Sequence, residues 1–149
     1  MTTLPDISLI ENPGAELREA ILRPLAAFNA ACTGPASPES FALILRHPGS
    51  GETIGGLWGV MVYDWLNIEL IFVPEDLRRQ GLGASLLKHA EAFAAKHGCN
   101  GVRLDTFSFQ APAFYEKHGY RSFGRLENIP KGHDRIYYFK MLVNDASAL

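Results

Sequence analysis

Few cysteines and little net charge are the first features of this sequence. Cys32 and Cys99 are its only cysteines, and they lie far apart without the spacing of metal ligands, so we expect buried free thiols and no metal site. The formal net charge of −2 provides no general attraction to nucleic acid or to an anionic membrane. We therefore expect no nucleic-acid partner and no membrane partner.

Long hydrophobic runs are also missing. The longest uncharged stretches, such as residues 53–63, are too short to span a bilayer. The first residues contain no basic segment followed by an apolar run, so they do not resemble a secretion signal. These two absences predict a soluble, cytoplasmic protein.

The composition fits one compact domain. The chain has 149 residues, of which 47% are hydrophobic and 20% are charged, and a chain of this size can bury a core that folds alone. No internal repeat or low-complexity tract interrupts it. We expect a single domain over residues 1–149 with its core at about residues 6–143, followed by a frayed tail.

Hydrophobic periodicity and turn residues divide the chain into three helices and up to seven strands. The expected helices are residues 14–32, 82–97 and 111–118. The expected strands are residues 6–11, 41–46, 53–63, 68–73, 102–107, 120–126 and 135–143. A strand, helix and strand crossover is right-handed and makes the two strands parallel in nearly all cases, so strands 68–73 and 102–107 are expected to be parallel. The order predicts an α+β fold: a mixed, mostly antiparallel central sheet of six to seven strands, with helices on both faces and one central parallel crossover.

Local signals add detail to the first half of the chain. Pro24 removes a backbone donor from the first helix and is expected to kink or split it. The turn cluster at residues 47–51 predicts an antiparallel hairpin between the strands that flank it. Gly55, Gly56 and Gly59 weaken the second of these strands, which predicts a bulge or a close approach to its backbone.

The most informative stretch joins an apolar run to a helix through a turn rich in arginine and glycine. Residues 68–73 are almost continuously apolar, as expected for a strand covered on both faces. Arg78, Arg79, Gly81 and Gly83 follow just before the helical spacing begins. A helix start offers unpaired N–H groups and the positive end of the helix dipole, and glycines leave room for a ligand. We therefore predict a phosphate-binding turn.

Two common phosphate motifs fit this turn poorly. A Walker loop needs Gly-Lys-Ser/Thr, whereas Gly83 is followed by Ala84, Ser85 and Leu86. A dinucleotide fingerprint would explain Asp105 about twenty residues on, at the end of the next apolar run. That alternative is disfavoured, because Leu86 replaces the third glycine and the long turn at residues 74–80 separates the strand from the glycines.

The stretch resembles the acetyl-coenzyme A site of the GNAT superfamily of N-acetyltransferases. That family has an apolar strand, a turn often containing Val-x-Pro-Glu, and Arg/Gln-x-x-Gly-x-Gly/Ala opening a long helix; Arg78, Gly81 and Gly83 occupy its three diagnostic positions. The order of elements from residue 6 to residue 143 also resembles the GNAT fold. Several strings, including residues 24–29 and 104–110, are similar to a bacterial GNAT subgroup of unassigned substrate.

The resemblance implies a set of residues that bind acetyl-coenzyme A. The pyrophosphate would be held by the turn residues Arg78, Arg79, Gln80, Gly81, Leu82, Gly83 and Ala84. The pantetheine arm would be held by Ile71, Phe72, Val73, Ser108, Ala111 and Phe114. In the family the two central parallel strands splay apart, which implies that a backbone N–H near Phe72 or Val73 meets the thioester carbonyl.

A second motif implies the general acid. Ala111, Phe114, Tyr115 and the Gly119-Tyr120 pair match the family's Asn-x-x-Ala-x-x-Phe-Tyr-x-x-x-Gly-Phe/Tyr, with Ser108 where Asn is usual. By this match Tyr115 would protonate the departing thiolate, since a phenol is still protonated at neutral pH. The alternative is that Tyr115 is only a core aromatic on a short helix.

Glu69 is the candidate general base. Strand alternation places it with Asn67 and Ile71 on one face, and a carboxylate in an apolar strand is costly unless it lines a wet cleft or has a partner. The alternative is a carboxylate that orders water or pairs with Arg103 or Lys140. Asp105 on the neighbouring strand is a weaker candidate.

The acceptor groove is inferred from segments that border it in this fold. Its candidate residues are Phe28, Asn29, Trp58, Tyr63, Trp65, Phe109 and His133. As a set they indicate an acceptor with an apolar part and an amine, although each aromatic alone is more often a core residue. His133 is also a second candidate base, the alternative being a surface histidine.

The resemblance implies an acetyl-coenzyme A-dependent N-acetyltransferase. The acetyl group would pass to a primary amine of a small molecule by direct attack in a ternary complex, because approximation of the substrates removes the need for a covalent nucleophile. The alternatives are a non-catalytic coenzyme A sensor and an acetyltransferase that acts on a protein or an aminoacyl-RNA. Dimers are common in the family, so a homodimer is left open.

Overall fold

The computed structural model describes residue 1 and residues 3–142 of the chain. These residues form two compact units, Met1–Ala36 and a second unit that begins at Ser37. The expectation of a single domain stays a prediction. Among the described residues, no helix combines the length and the apolar character needed to cross a membrane.

The first unit contains one helix, α1 (Ala15–Thr33). Pro24 lies inside it, and the helix continues on both sides, so Pro24 does not split the helix, and the alternative of a kink stays a prediction. The loss of one donor interrupts a single rung, and the other turns keep their hydrogen bonds. Cys32 is exposed, contrary to the expectation of a buried thiol, because no residue of α1 is buried.

The strand expected at residues 6–11 is absent; those residues adopt no regular secondary structure. A strand exists only where a neighbouring backbone accepts and donates its hydrogen bonds, and alternation of Ile7 and Leu9 with polar residues cannot supply that neighbour. Both side chains are exposed accordingly.

The second unit begins with three antiparallel strands. They are β1 (Glu39–Arg46), β2 (Thr53–Val62) and β3 (Trp65–Phe72). The predicted hairpin between β1 and β2 is confirmed, and its turn is closed by the His47 amide, which donates to the Glu52 carbonyl over 2.8 Å. The amides of Gly49 and Ser50 donate to Nδ1 of His47, so the imidazole holds the turn together.

The glycines of β2 allow its neighbours to come close. A Cβ on Gly56 would lie 2.1 Å from the carbonyl oxygen of Leu43, and one on Gly55 would lie 2.5 Å from that of Phe72. No real side chain tolerates such distances. The predicted close approach to this backbone is therefore confirmed.

The remaining elements complete a six-stranded sheet in the order β1-β2-β3-β4-β6-β5. The added strands are β4 (Gly101–Phe107), β5 (Arg121–Leu126) and β6 (Arg135–Met141), and the helices are α2 (Leu82–Lys96) and α3 (Pro112–Lys117). All neighbouring strands are antiparallel except β3 and β4. The α+β class with one parallel pair is thus as predicted.

The core of the second unit lies between α2 and the sheet. Leu86, Leu87, Ala90 and Ala94 form the buried face of α2, at the spacing expected for an amphipathic helix. They pack with buried strand residues such as Leu66, which is fully inaccessible to solvent. This packing fixes the start of α2 at the end of β3, where the arginine and glycine turn lies.

Candidate active site

The two parallel strands separate after three residue pairs. Trp65 lies opposite Gly101, Leu66 opposite Val102 and Asn67 opposite Arg103, and β3 and β4 do not pair beyond that point. The residues that follow in each strand therefore lack a ladder partner toward the other strand. The splay that the family resemblance implied is present, and it opens a gap between the C-terminal ends of β3 and β4.

Both predicted motifs lie at the open end of this gap. The arginine and glycine turn follows β3, and α3 follows β4, so parallel strands bring the two to the same edge of the sheet. Gly83 in the first turn of α2 touches α3 directly: a Cβ there would lie 3.1 Å from Cζ of Phe114. The structure therefore brings together residues 78–84 and 111–115.

The turn leaves a series of backbone amides unpaired. The Leu77 amide donates to Pro74 over 3.0 Å and the Ser85 amide to Gly81 over 3.0 Å. Between them, no described residue accepts a hydrogen bond from the amides of residues 79–84. Arg79 and Gly81 have φ values of 65° and 81°, and this left-handed backbone keeps the turn open. Such a loop can surround an anion with N–H groups.

Arg78 links the turn to the end of β3. Its Nε donates to the carbonyl oxygen of Val73 over 2.9 Å, and its guanidinium carbon lies 5.8 Å from the centre of the Phe72 ring. The two terminal nitrogens of its guanidinium donate to no described residue. Arg78 can therefore brace the turn with one nitrogen and present two others to an anion.

Tyr115 has the only free hydroxyl among three buried tyrosines of the described chain. Tyr120 donates to Glu91 over 3.1 Å and Tyr138 donates to Glu116 over 2.8 Å. The Tyr115 hydroxyl has no such partner in residues 3–142. Every buried side-chain polar atom of these residues has a hydrogen-bond partner, so the Tyr115 hydroxyl oxygen is not buried. It reaches solvent, although the residue as a whole is 5% exposed. A proton donor in a cleft needs this combination.

Burial keeps the Tyr115 hydroxyl protonated. Desolvation, and then the negative charge of Asp105, raise the pKa of Tyr115 to about 12. Its ring is held by Tyr120 and Tyr138, whose ring centres lie 5.9 and 6.1 Å away. The position of the hydroxyl is therefore fixed by packing.

Glu69 lies at a β-bulge in β3. Trp58 of β2 is opposite Leu70 and Gly59 is opposite Ile68, so Glu69 is the additional residue. It is exposed, so its carboxylate is not buried within the strand. Nor does it pair with Lys140, which binds Glu91 instead. A bulge re-aims side chains and is common beside active sites, so the base assignment stays a prediction with a different physical basis.

The bulge also reverses the alternation of β3. Ile68 is buried on the core side, and beyond the bulge Ile71 and Val73 pack against that core, while Leu70 and Phe72 are 67% and 55% exposed. The predicted sharing of a face by Glu69 and Ile71 was therefore wrong. The expectation of a strand covered on both faces was also wrong for this part of β3.

Ser108 and Asp134 exchange two hydrogen bonds where β4 ends. The Ser108 amide donates to the Asp134 carbonyl over 2.8 Å, and the Asp134 amide donates to the Ser108 hydroxyl over 2.9 Å. Asp134 in turn accepts from Arg125, which lowers the pKa of its carboxyl. Ser108 thus anchors the connection between β5 and β6, and its predicted pantetheine contact remains a prediction. Ala111 is the residue that precedes α3.

The candidate acceptor residues of the second unit fall into three places. Phe109 and His133 meet at the open end of the gap, with ring centres 4.9 Å apart in an edge-to-face arrangement. Trp58 lies on β2 opposite Leu70. Tyr63 and Trp65 lie at the other end of β3, where Trp65 pairs with Gly101 and contacts Phe139. The structure therefore does not bring Tyr63 and Trp65 to the gap.

Phe28 and Asn29 lie on α1, within the first unit. Phe28 is 67% exposed. Their predicted role in acceptor binding stays a prediction.

Arg135 and Phe107 lie near the gap, and the sequence analysis did not identify them as site residues. Nε of Arg135 donates to Oδ2 of Asp105 over 2.6 Å, and its guanidinium carbon lies 5.5 Å from the centre of the Phe107 ring. Alternation along residues 102–107 would have placed Asp105 and Phe107 on one face. Only the strand register reveals that Arg135 lies opposite Phe107.

Comparison with known proteins decides the family. The profile described as Acetyltransferase (GNAT) family matches residues 10–120. The chain belongs to the GNAT family. Membership confirms the predicted enzyme class and fold, and acetyl-coenzyme A as the cosubstrate from which the family takes its acetyl group.

Individual GNAT relatives agree with this assignment. An acetyltransferase of Agrobacterium fabrum is 37% identical over 118 residues, covering 79% of this chain and 85% of the relative. The blasticidin-S acetyltransferase of Streptomyces morookaense is 41% identical over 83 residues, 55% of this chain and 61% of that protein. The crystal structure of an acetyltransferase from Bacillus cereus superposes with a TM-score of 0.81 at 36% identity, covering 91% of this chain and 98% of that one.

Proposed function

We propose that this GNAT enzyme acetylates a primary amine of a small molecule by direct attack on acetyl-coenzyme A. The observation that carries the proposal is the row of unpaired amides at residues 79–84, beside the gap between β3 and β4. A diphosphate held by these amides and by the terminal nitrogens of Arg78 would direct a thioester into the gap. Gly83, in contact with Phe114, would let the diphosphate approach the backbone closely.

The chain supplies a proton donor and a candidate proton acceptor for the reaction. The acceptor nitrogen forms a bond to the thioester carbon, the carbon–sulfur bond breaks, and the Tyr115 hydroxyl gives its proton to the sulfur. Glu69, directly or through water, takes the proton that the amine loses, and exchange with solvent returns a proton to Tyr115. A backbone N–H near Phe72 or Val73 stabilises the oxyanion.

Approximation of the two substrates supports a mechanism without a covalent nucleophile. Holding amine and thioester together can lower the barrier by about 7 kcal/mol or more. Cys32 lies on α1, and burial raises the pKa of the Cys99 thiol, which disfavours its reactive thiolate.

The small-molecule acceptor is supported by the blasticidin-S acetyltransferase, whose name identifies a small-molecule substrate. Phe109 and His133 would then contact the acceptor at the mouth of the gap.

The test combines binding and transfer. Calorimetric titration with acetyl-coenzyme A and with desulfo-coenzyme A measures donor binding, and thiol release is followed with small primary amines, a lysine peptide and an aminoacyl-RNA. We expect both donors to bind and a small amine to accelerate thiol release. Binding without acceleration by any amine would instead identify a coenzyme A sensor, and acceleration only by the peptide or the RNA would identify a macromolecular acceptor.

A further inference from the structure

The β4 side of the gap carries a continuous aromatic wall. The rings of Phe107 and Phe109 are stacked, with centres 5.3 Å apart and planes inclined by 6°. The His133 ring stands edge-on against Phe109. Phe109 is 55% exposed, so part of its ring is accessible to a ligand. We define Phe107, Phe109 and His133 as the aromatic wall.

The connection that carries His133 is held rigidly. The His133 amide donates to Pro130 over 2.9 Å, and the Ile129 amide donates to the His133 carbonyl over 2.7 Å. Gly132 donates to the side chain of Asn128 over 2.7 Å. Because Asp134 is also bound to Ser108, the imidazole is fixed against Phe109 and the wall is preformed.

A carboxylate lies one strand repeat from the wall. Asp105 and Phe107 are on the same face of β4, in the part of the strand that has separated from β3. Arg135 binds Oδ2 of Asp105, whereas Oδ1 has no partner among the described residues. Asp105 therefore lies beside the wall, with one carboxylate oxygen available to a ligand.

Strand geometry sets the separation between these two features. Residues i and i+2 of a strand lie about 6.6 Å apart, so a ligand that contacts both Asp105 and the Phe107–Phe109 stack must span about that distance. A primary amine can donate a hydrogen bond to a carboxylate oxygen, and a planar unsaturated ring can pack against the exposed part of an aromatic stack.

We propose that the acceptor is a primary amine joined by a short chain to a planar unsaturated ring, with the ring on the aromatic wall and the nitrogen at Oδ1 of Asp105. This inference rests on the proposed function and specifies its acceptor. Asp105 acts as a positioning residue, since it orients the amine but neither gives nor takes a proton. Arg135 holds its carboxylate in place through their ion pair.

The test uses amines that differ only in the ring. A series of phenylalkyl amines with one to four methylene groups is compared with cyclohexylalkyl amines of the same lengths, by KM and by calorimetric titration into the protein saturated with desulfo-coenzyme A. We expect the best phenyl compound to have two to four methylenes, and to bind about three- to tenfold more tightly than its cyclohexyl partner, as aromatic pairs allow.

Variants locate the preference on the wall. Phe109→Leu should remove the advantage of the phenyl compounds, whereas Phe123→Leu, which changes a ring of similar exposure on β5, should keep it. Asp105→Asn should raise KM for every amine while the phenyl preference persists. Equal binding of phenyl and cyclohexyl amines, or an unchanged preference in Phe109→Leu, would overturn the inference.

The two proposals fail in different ways. If ring amines bind and show the preference but none accelerates thiol release, the acetyl-transfer proposal fails and the ring site stands. If aliphatic amines are acetylated as well as ring amines, transfer stands and the ring site is wrong.

Discussion

Gly83 lies directly against the ring of Phe114, so the turn after β3 and the helix after β4 are in contact across the gap. Gly83→Ala would force the ring tip to move by a few tenths of an ångström, because a Cβ would lie 3.1 Å from it. We expect weaker acetyl-coenzyme A binding, by about threefold to tenfold, since a shift of about 1 kcal/mol accompanies such crowding. Calorimetric titration measures it.

Stability should separate this effect from misfolding. Alanine favours a helix over glycine by about 1 kcal/mol, so Gly83→Ala should unfold at the same or a slightly higher temperature. The double variant with Phe114→Leu relieves the crowding and should recover part of the affinity. If single and double variants bind equally, the contact between Gly83 and Phe114 plays no part in donor binding.

Tyr115→Phe removes the one hydroxyl of the buried tyrosines that has no hydrogen-bond partner within residues 3–142. We expect kcat to fall about 100-fold or more, the range for loss of a general acid, with donor affinity unchanged. Tyr138→Phe is the matched control, because the Tyr138 hydroxyl is occupied by its hydrogen bond to Glu116. Similar kcat losses in both variants would show that packing, not proton donation, is affected.

Alkaline pH should weaken the fold before it deprotonates Tyr115. Burial raises the pKa of Tyr115 and of Tyr138 to about 12 from the ordinary 10.0. Since the folded protein holds these protons more tightly than the unfolded chain, their stabilising effect is complete below pH 10 and is lost as pH rises toward 12. Denaturant unfolding at pH 8, 10 and 11 should show this decline, with a shallower slope in Tyr138→Phe.

Glu69→Gln tests the base at the bulge. Because the exposed carboxylate acts directly or through water, we expect kcat/KM to fall about tenfold to 100-fold at neutral pH, within the range of general base catalysis. Donor binding and unfolding should be unchanged, since Glu69 has no ion pair among the described residues. A variant as active as the parent would refute this role and leave water as the base.

Glu91→Gln should destabilise the protein without touching the gap. Nζ of Lys140 lies 2.8 Å from Oε1 of Glu91, and the Glu91 side chain is 16% exposed. Leaving Lys140 half-buried without its counter-charge should cost about 1–3 kcal/mol of unfolding free energy. Urea unfolding measures this, and Lys96→Gln at the exposed end of the same helix should change little.

The sequence was informative where structure depends on neighbours along the chain. The hairpin at residues 47–51, the amphipathic face of α2 and the arginine and glycine turn all follow from local spacing. The bulge at Glu69 does not, because it depends on how many residues β2 places opposite β3. The pair between Asp105 and Arg135 depends likewise on the register of β4 with β6.

One misplacement could have been avoided by topology alone. Trp65 begins β3, and in a parallel pair the strand starts lie at the edge opposite the strand ends. An aromatic near the start of β3 is therefore remote from the turn that follows Phe72. Trp65 was selected because it is an aromatic residue, but the direction of β3 determines which edge of the sheet it lies at.

The three residue pairs between β3 and β4 join the two halves of the described sheet. One half consists of β1, β2 and β3, and the other of β4, β6 and β5. Within each half the strands pair through longer antiparallel ladders. A substrate that contacts both β3 and β4 across the gap would connect the two halves where they share the fewest backbone hydrogen bonds. Substrate in the gap would therefore make the two halves of the sheet harder to pull apart.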